Sequence, residues 1–243
     1  MTDLTVLAAA TLAAGFLRGV TGFGFALAAV PFYSLSVPPL QAVILAQMLQ
    51  IAAAPTDVVA NWRHLDRRAL GLLCAGAIVC TPLGAYFATR LDADVMRLAI
   101  AVVVLLGLFA LLAKLRIPEG RIPAIAAGGI AGLLGGLAAM PGPPAVAYFL
   151  GRGADKATSR ASLLLFFAFT ASIALASLAL GADVLSWAML WQAAAMYPLM
   201  LAGTWAGTLL FRRLGDGHYR SAALGVLFLS AILTGVKGLG GLL

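Results

Sequence analysis

Residues 15–31 read GFLRGVTGFGFALAAVP, and residues 128–144 read GGIAGLLGGLAAMPGPP. Each stretch lies inside a long apolar segment, at 4–37 and 122–150, and each closes on proline. Glycine lets backbones approach closely, whereas proline withholds a backbone donor. A helix broken at membrane depth frees N–H and C=O groups, which is tolerated only inside protein or beside a wet cavity. Two such breaks in one apolar chain therefore predict a polytopic helical membrane protein with irregular backbone near the bilayer midplane.

Further apolar segments fall at about 41–60, 69–89, 98–113, 161–180, 185–211 and 221–238, separated by short polar loops. The chain is 63% hydrophobic and only 10% charged over 243 residues, against about 25% charged in soluble domains. Such a chain cannot cover a water-facing surface, so its solvent is lipid. At about 20 residues per crossing, little length is left for a separate soluble domain. The net charge of +7 comes from Lys and Arg in the loops, with no basic patch interleaved with aromatics, so no nucleic-acid partner is expected. Cys74 and Cys80 lack metal or redox spacing and read as free thiols. The two histidines sit in polar loops, no pair of acids lies within an apolar segment, and no Walker loop occurs. No enzyme, cofactor or metal site is expected.

A shift of 113 residues superposes Gly15, Gly19, Gly22 and Pro31 on Gly128, Gly132, Gly135 and Pro144. A shift of 123 carries Gly84, Arg90, Leu91 and Arg97 onto Gly207, Arg213, Leu214 and Arg220. These matches predict an internal duplication, with one membrane repeat over 1–121 and a second over 122–243. If all eight segments cross in alternation, the basic loops fall on both sides. If the two Gly/Pro-rich segments instead re-enter, the loops 61–68, 114–121, 151–160 and 212–220 share one face and hold twelve of the sixteen basic residues. The opposite face keeps Arg90, Arg97 and Lys237. The charge rule favours the second arrangement and makes the first face cytoplasmic. Each half of a broken segment is then about 15 residues, roughly 22 Å of helix, enough to reach the midplane. The expected fold is all-α: two inverted repeats, each a broken or re-entrant hairpin plus three transmembrane helices.

The N-termini of half-helices carry partial positive charge suited to an anion. Gly19, Thr21, Gly22 and Gly24 in the first break, and Gly135, Gly136, Pro141 and Gly142 in the second, are the candidate substrate-lining residues. Close helix packing is the competing role for such glycines. Arg18 is the basic residue placed well inside an apolar segment, where a charge is costly enough to suggest function. It either meets substrate, snorkels to the interface or forms a structural ion pair. Gln47 and Gln50, one turn apart, could donate toward a cavity or bond a neighbouring helix. Asp57, after Pro55, is the candidate for proton coupling, with an interfacial pairing as the alternative.

The G-x3-G-x2-G-x-G series at Gly15, Gly19, Gly22 and Gly24, its partial copy at Gly128, Gly132 and Gly135, and the closing prolines resemble the sulfite exporter TauE/SafE family, also called the toluene sulfonate uptake permeases. The copy has Leu137 where the fourth glycine would fall. The resemblance extends over nearly the whole chain. It implies a multi-pass protein of the bacterial inner membrane that moves a small sulfur-containing anion such as sulfite or an organosulfonate. With the residue reading, it places the substrate near the midplane between the two Gly-rich breaks. A passive channel, or a carrier of another small solute, is the alternative. Protons as coupling ion and a homodimer remain open.

Overall fold

The computed structural model describes residues 2–21, 24–181, 184–213, 232, 234–237 and 239–240. All regular elements among them are helical: α1 (Thr2–Thr21), α2 (Phe25–Ser36), α3 (Pro39–Asn61), α4 (Arg67–Ala88), α5 (Ala93–Leu112), α6 (Arg121–Ala138), α7 (Gly142–Gly151), α8 (Lys156–Gly181) and α9 (Trp187–Arg213), with a 3-10 turn at Trp62–His64. Six of these, α3, α4, α5, α6, α8 and α9, are long and apolar enough to cross a membrane. The expected segment at 221–238 and the loop ahead of it lie mostly outside the described residues.

Both Gly/Pro-rich segments are pairs of helices, but the breaks fall later than the midpoints expected from sequence. α1 and α2 have 20 and 12 residues, and α6 and α7 have 18 and 10. Gly15, Gly19, Gly128, Gly132 and Gly135 are helical, and among the described residues of these two segments the backbone goes left-handed at Gly24 and Ala139. Gly24, with φ 91°, caps α2. Ala139, with φ 58°, ends α6, where Ala139 N–H donates to Gly135 O (2.9 Å) in a left-handed cap and Met140 N–H to Leu134 O (3.3 Å). At about 1.5 Å per residue, α2 and α7 are too short to cross. Nine residues of α2, Phe25 through Pro31 with Tyr33 and Ser34, are buried, as are seven of α7's ten. At the second break Ala139, Met140 and Pro141 are buried as well, so that irregular stretch is enclosed by protein, as a membrane requires.

The chain folds as two compact units that each draw on both halves of the sequence. One comprises Met1–Leu49, Leu91–Leu108 and Ser186–Leu243; the other comprises Gln50–Arg90 and Phe109–Leu185. In the second unit α4 and α6 run parallel at backbone contact. A Cβ on Gly128 would lie 2.1 Å from Leu73 O, one on Gly132 2.8 Å from Ala77 Cα, and one on Gly136 2.1 Å from Thr81 O. From the other side, Gly76 and Gly84 meet Ile125 O and Leu133 O in the same way. Such small-residue seams are how membrane helices gain packing without a hydrophobic driving force.

The first unit repeats the seam between α1 and α9. A Cβ on Gly15 would lie 2.6 Å from Met200 O, one on Gly19 2.1 Å from Thr204 O, and one on Gly207 2.1 Å from Phe16 O. Gly15 and Gly19 therefore do the work of Gly132 and Gly136, and Gly207 that of Gly84. The α9–α4 offset is the 123 residues read from sequence. The α1–α6 offset is 117 residues, not 113, because Gly19 corresponds to Gly136 and the cap Gly24 to the cap Pro141. A four-residue slip superposes one helical turn on the next, so a glycine series spaced by four matches itself falsely.

Candidate functional site

In the first unit, Arg18 occupies the last turn of α1 and is 7% exposed. A cation there faces the negative end of the helix dipole. Beyond the break, the first intrahelical bond of α2 runs from Ala28 N–H to Gly24 O (3.2 Å). The N–H groups of Phe25, Ala26 and Leu27 come ahead of it and have no carbonyl of their own helix to meet. Gly24 suits its position for geometric reasons, since a φ of 91° is costly for residues with a side chain. Gly19, by contrast, points into the α9 seam, where its carbonyl also accepts from Thr208 Oγ1 (3.3 Å). Gly22 and the side chain of Thr21 lie outside what the structure describes.

The second break is built differently. α7 begins at Gly142 behind the cap Pro141, and its next two residues are Pro143 and Pro144. Two of its first three positions therefore carry no N–H, and this half-helix end is a poor anion cradle. Gly136 belongs to the α4 seam. Gly135 faces the break itself: its Cβ would lie 3.3 Å from Pro141 Cβ and 3.5 Å from Thr170 Cβ. Nearby on the seam, Thr81 is fully buried, and its Oγ1 has no hydrogen-bond partner among the described residues.

Of the remaining candidates, Gln47 is completely buried on α3 in the first unit. Gln50 and Asp57, both half-buried on the same helix, fall in the second. Cys74 and Cys80 are free thiols. Among the described residues no three His, Cys, Asp or Glu side chains gather as metal ligands would.

Two polar clusters that sequence reading missed tie down the outer ends of the short helices. Arg152, following α7, donates from Nη2 to Asp66 Oδ2 (2.8 Å) and from Nη1 to Glu119 Oε1 (2.9 Å). Asp66 also caps α4 by accepting from Ala69 N–H (2.9 Å), and its own N–H donates to Ser162 Oγ (3.0 Å). Ile117 N–H donates to Ala147 O (3.0 Å), so the chain entering α6 touches the chain leaving α7. The loops 61–68, 114–121 and 151–160 thus meet in one place. In the first unit the end of α2 receives Arg97 Nε on Ser34 O (3.2 Å), Lys237 Nζ on Leu35 O, and Thr234 Oγ1 on Pro31 O (3.2 Å). Arg97 and Lys237, expected together on the less basic face, do share one end of that unit.

The family model for the sulfite exporter TauE/SafE matches residues 7–234, a span that takes in both breaks and both glycine seams. The chain belongs to this family. TauE/SafE proteins are membrane transporters of sulfite or related anions, and the six candidate spans accord with a multi-pass membrane protein. No curated protein and no solved structure matches the chain.

Proposed function

We propose that this TauE/SafE protein is a secondary transporter moving sulfite or an organosulfonate across the bacterial inner membrane, with the anion gripped in the first unit by Arg18 and the start of α2. The observation that carries this reading is the pairing of a buried arginine in the last turn of α1 with a buried half-helix opening at a left-handed glycine. An anion leaving water must recover hydration from fixed donors. Backbone N–H groups at Phe25, Ala26 and Leu27 supply some, and a guanidinium supplies a planar fork for two oxygens. The second break, short of N–H groups at Pro141, Pro143 and Pro144, offers no comparable set of donors within its own unit. Asp57 remains the candidate for proton coupling. The two halves are read as inverted repeats with re-entrant hairpins, a reading supported by the contact between the approach to α6 and the exit from α7.

Binding of sulfite, thiosulfate, sulfate and several sulfonates to the purified protein tests the grip. Arg18→Gln should fold normally and bind roughly tenfold or more weakly, with Arg18→Lys recovering only part because the planar fork is lost. Unchanged affinity in folded Arg18→Gln would remove the arginine from the site. Saturable flux with counterflow in vesicles separates a carrier from a channel. Asp57→Asn should flatten the pH dependence of accumulation while leaving substrate exchange intact; an unaltered pH profile would make Asp57 structural.

A further inference from the structure

On the side of the α4–α6 seam away from the other helices of its unit lies an open groove of about 500 Å³, lined by Ala75, Val79, Ile125, Gly129, Ile130 and Leu133 among others. Val79 is 66% exposed and Ile130 55%, and Ala75 is exposed as well. The groove exists because Gly76 and Gly129 leave the two ridges without side chains between them.

The same helix stripes carry charge at their heads. On α4, Arg68, Leu72, Ala75 and Val79 follow one another at three- and four-residue steps, and on α6 so do Arg121, Ile125 and Gly129. Because α4 and α6 run parallel, both arginines stand at the same end of the groove. Arg67, Arg68, Lys114, Arg116 and Arg121 are all exposed there and form no ion pair among the described residues. The acids at that end, Asp66 and Glu119, are engaged by Arg152. At about 1.5 Å per residue the lining extends to roughly 18 Å below the arginines, near the depth of one leaflet.

We propose that this groove is the seat of one anionic glycerophospholipid, with its phosphate at Arg68 and Arg121 and one acyl chain along Ala75, Val79, Gly129 and Leu133. The charge selects the headgroup, and the apolar trough selects a chain rather than a free anion. A soluble phosphate would gain only the first, and a zwitterionic lipid would gain the trough but set its headgroup cation against the cluster of Arg67, Arg68, Lys114, Arg116 and Arg121.

The test uses the full chain purified in detergent, with retained lipid counted by native mass spectrometry and the melting midpoint followed on adding phosphatidylglycerol, phosphatidylcholine or glycerol phosphate. Wild type should retain phosphatidylglycerol over phosphatidylcholine by at least fivefold, with each of Arg68→Gln and Arg121→Gln lowering that preference roughly fivefold. The double lysine variant should keep most of it. Ala75→Trp and Val79→Trp, which fill the trough from its exposed rim, should each expel lipid while leaving every charge in place. Equal retention of the two lipids, an undiminished preference in the glutamine variants, or lipid retained with the trough filled would overturn the proposal. So would stabilisation by glycerol phosphate as large as that by the lipid.

Discussion

Gly19 and Gly136 bear no functional group, yet a methyl on either would sit 2.1 Å from a backbone oxygen of the facing helix. Backbone cannot swing aside as a flexible side chain can, so the helices must part. Gly19→Ala and Gly136→Ala should each destabilise the protein by about 1–3 kcal/mol, read as a lower melting midpoint in detergent. Gly135→Ala, whose Cβ meets a proline ring at 3.3 Å, should cost less than either. Melting points in the opposite order would show that the seams yield. Sequence alone marked these glycines as special but could not divide their roles. A seam glycine and a break glycine look the same in one dimension, and only the direction of the absent Cβ separates them. The slip of four residues in the repeat arises from the same ambiguity, and only the backbone shows that Gly24 stands where φ turns positive.

Besides being buried along their length, the short helices α2 and α7 are fastened at their outer ends. For α7 the fastening is Arg152, and for α2 it is Arg97, Thr234 and Lys237. Asp66→Ala removes both a partner of Arg152 and the cap of α4, so a loss on the order of 2 kcal/mol is expected. Asp66→Asn keeps the cap and should recover about half, measured by chemical or thermal unfolding. Equal stability of Asp66→Ala and wild type would mean that the cluster is dispensable. At the start of α8, Asp155 accepts from Thr158 N–H at 2.8 Å, and the backbone N–H holds its carboxyl below the usual carboxylate range. A lowered folded pKa means that the charged cap stabilises above the unfolded value and that this contribution is lost as pH falls through the folded one. Asp155→Asn should therefore shrink the acid-side slope of the melting curve against pH, and a steeper slope would contradict the sign. The helices were legible from hydropathy and the loops from charge. The fastenings were not, because Asp66, Glu119 and Arg152 are separated by dozens of residues and each reads singly as one more loop charge.

For the whole molecule, the membrane topology is the expectation with the sharpest consequence. Single cysteines placed in the loops 61–68, 114–121 and 151–160, on a background lacking Cys74 and Cys80, should share the same response to an impermeant thiol reagent in intact cells. They should be shielded, while a cysteine at 36 is labelled. Opposite responses of 61–68 and 151–160 would require α7 to leave on the other side, against the contact of Arg152 with Asp66. The family and the all-helical architecture could be read from the glycine series and composition. The exchange of elements between halves could not, since the division of the chain into compact units follows which helix packs on which, and a repeat read from spacing is silent on its partner.

That exchange sets an order of assembly. α6 emerges from the ribosome with its seam partner α4 already made, some fifty residues earlier, whereas α1, the first helix made, must wait for α9, almost two hundred residues later. The early helix therefore stands in the lipid with its glycine face uncovered for most of synthesis. Neither half alone, 1–121 or 122–243, can close a seam, because each seam takes one helix from each. Expressed singly, the halves should be degraded; expressed together from separate messages, they should protect one another and co-purify. Survival of a lone half would show that its seam helices can find substitute partners within that half.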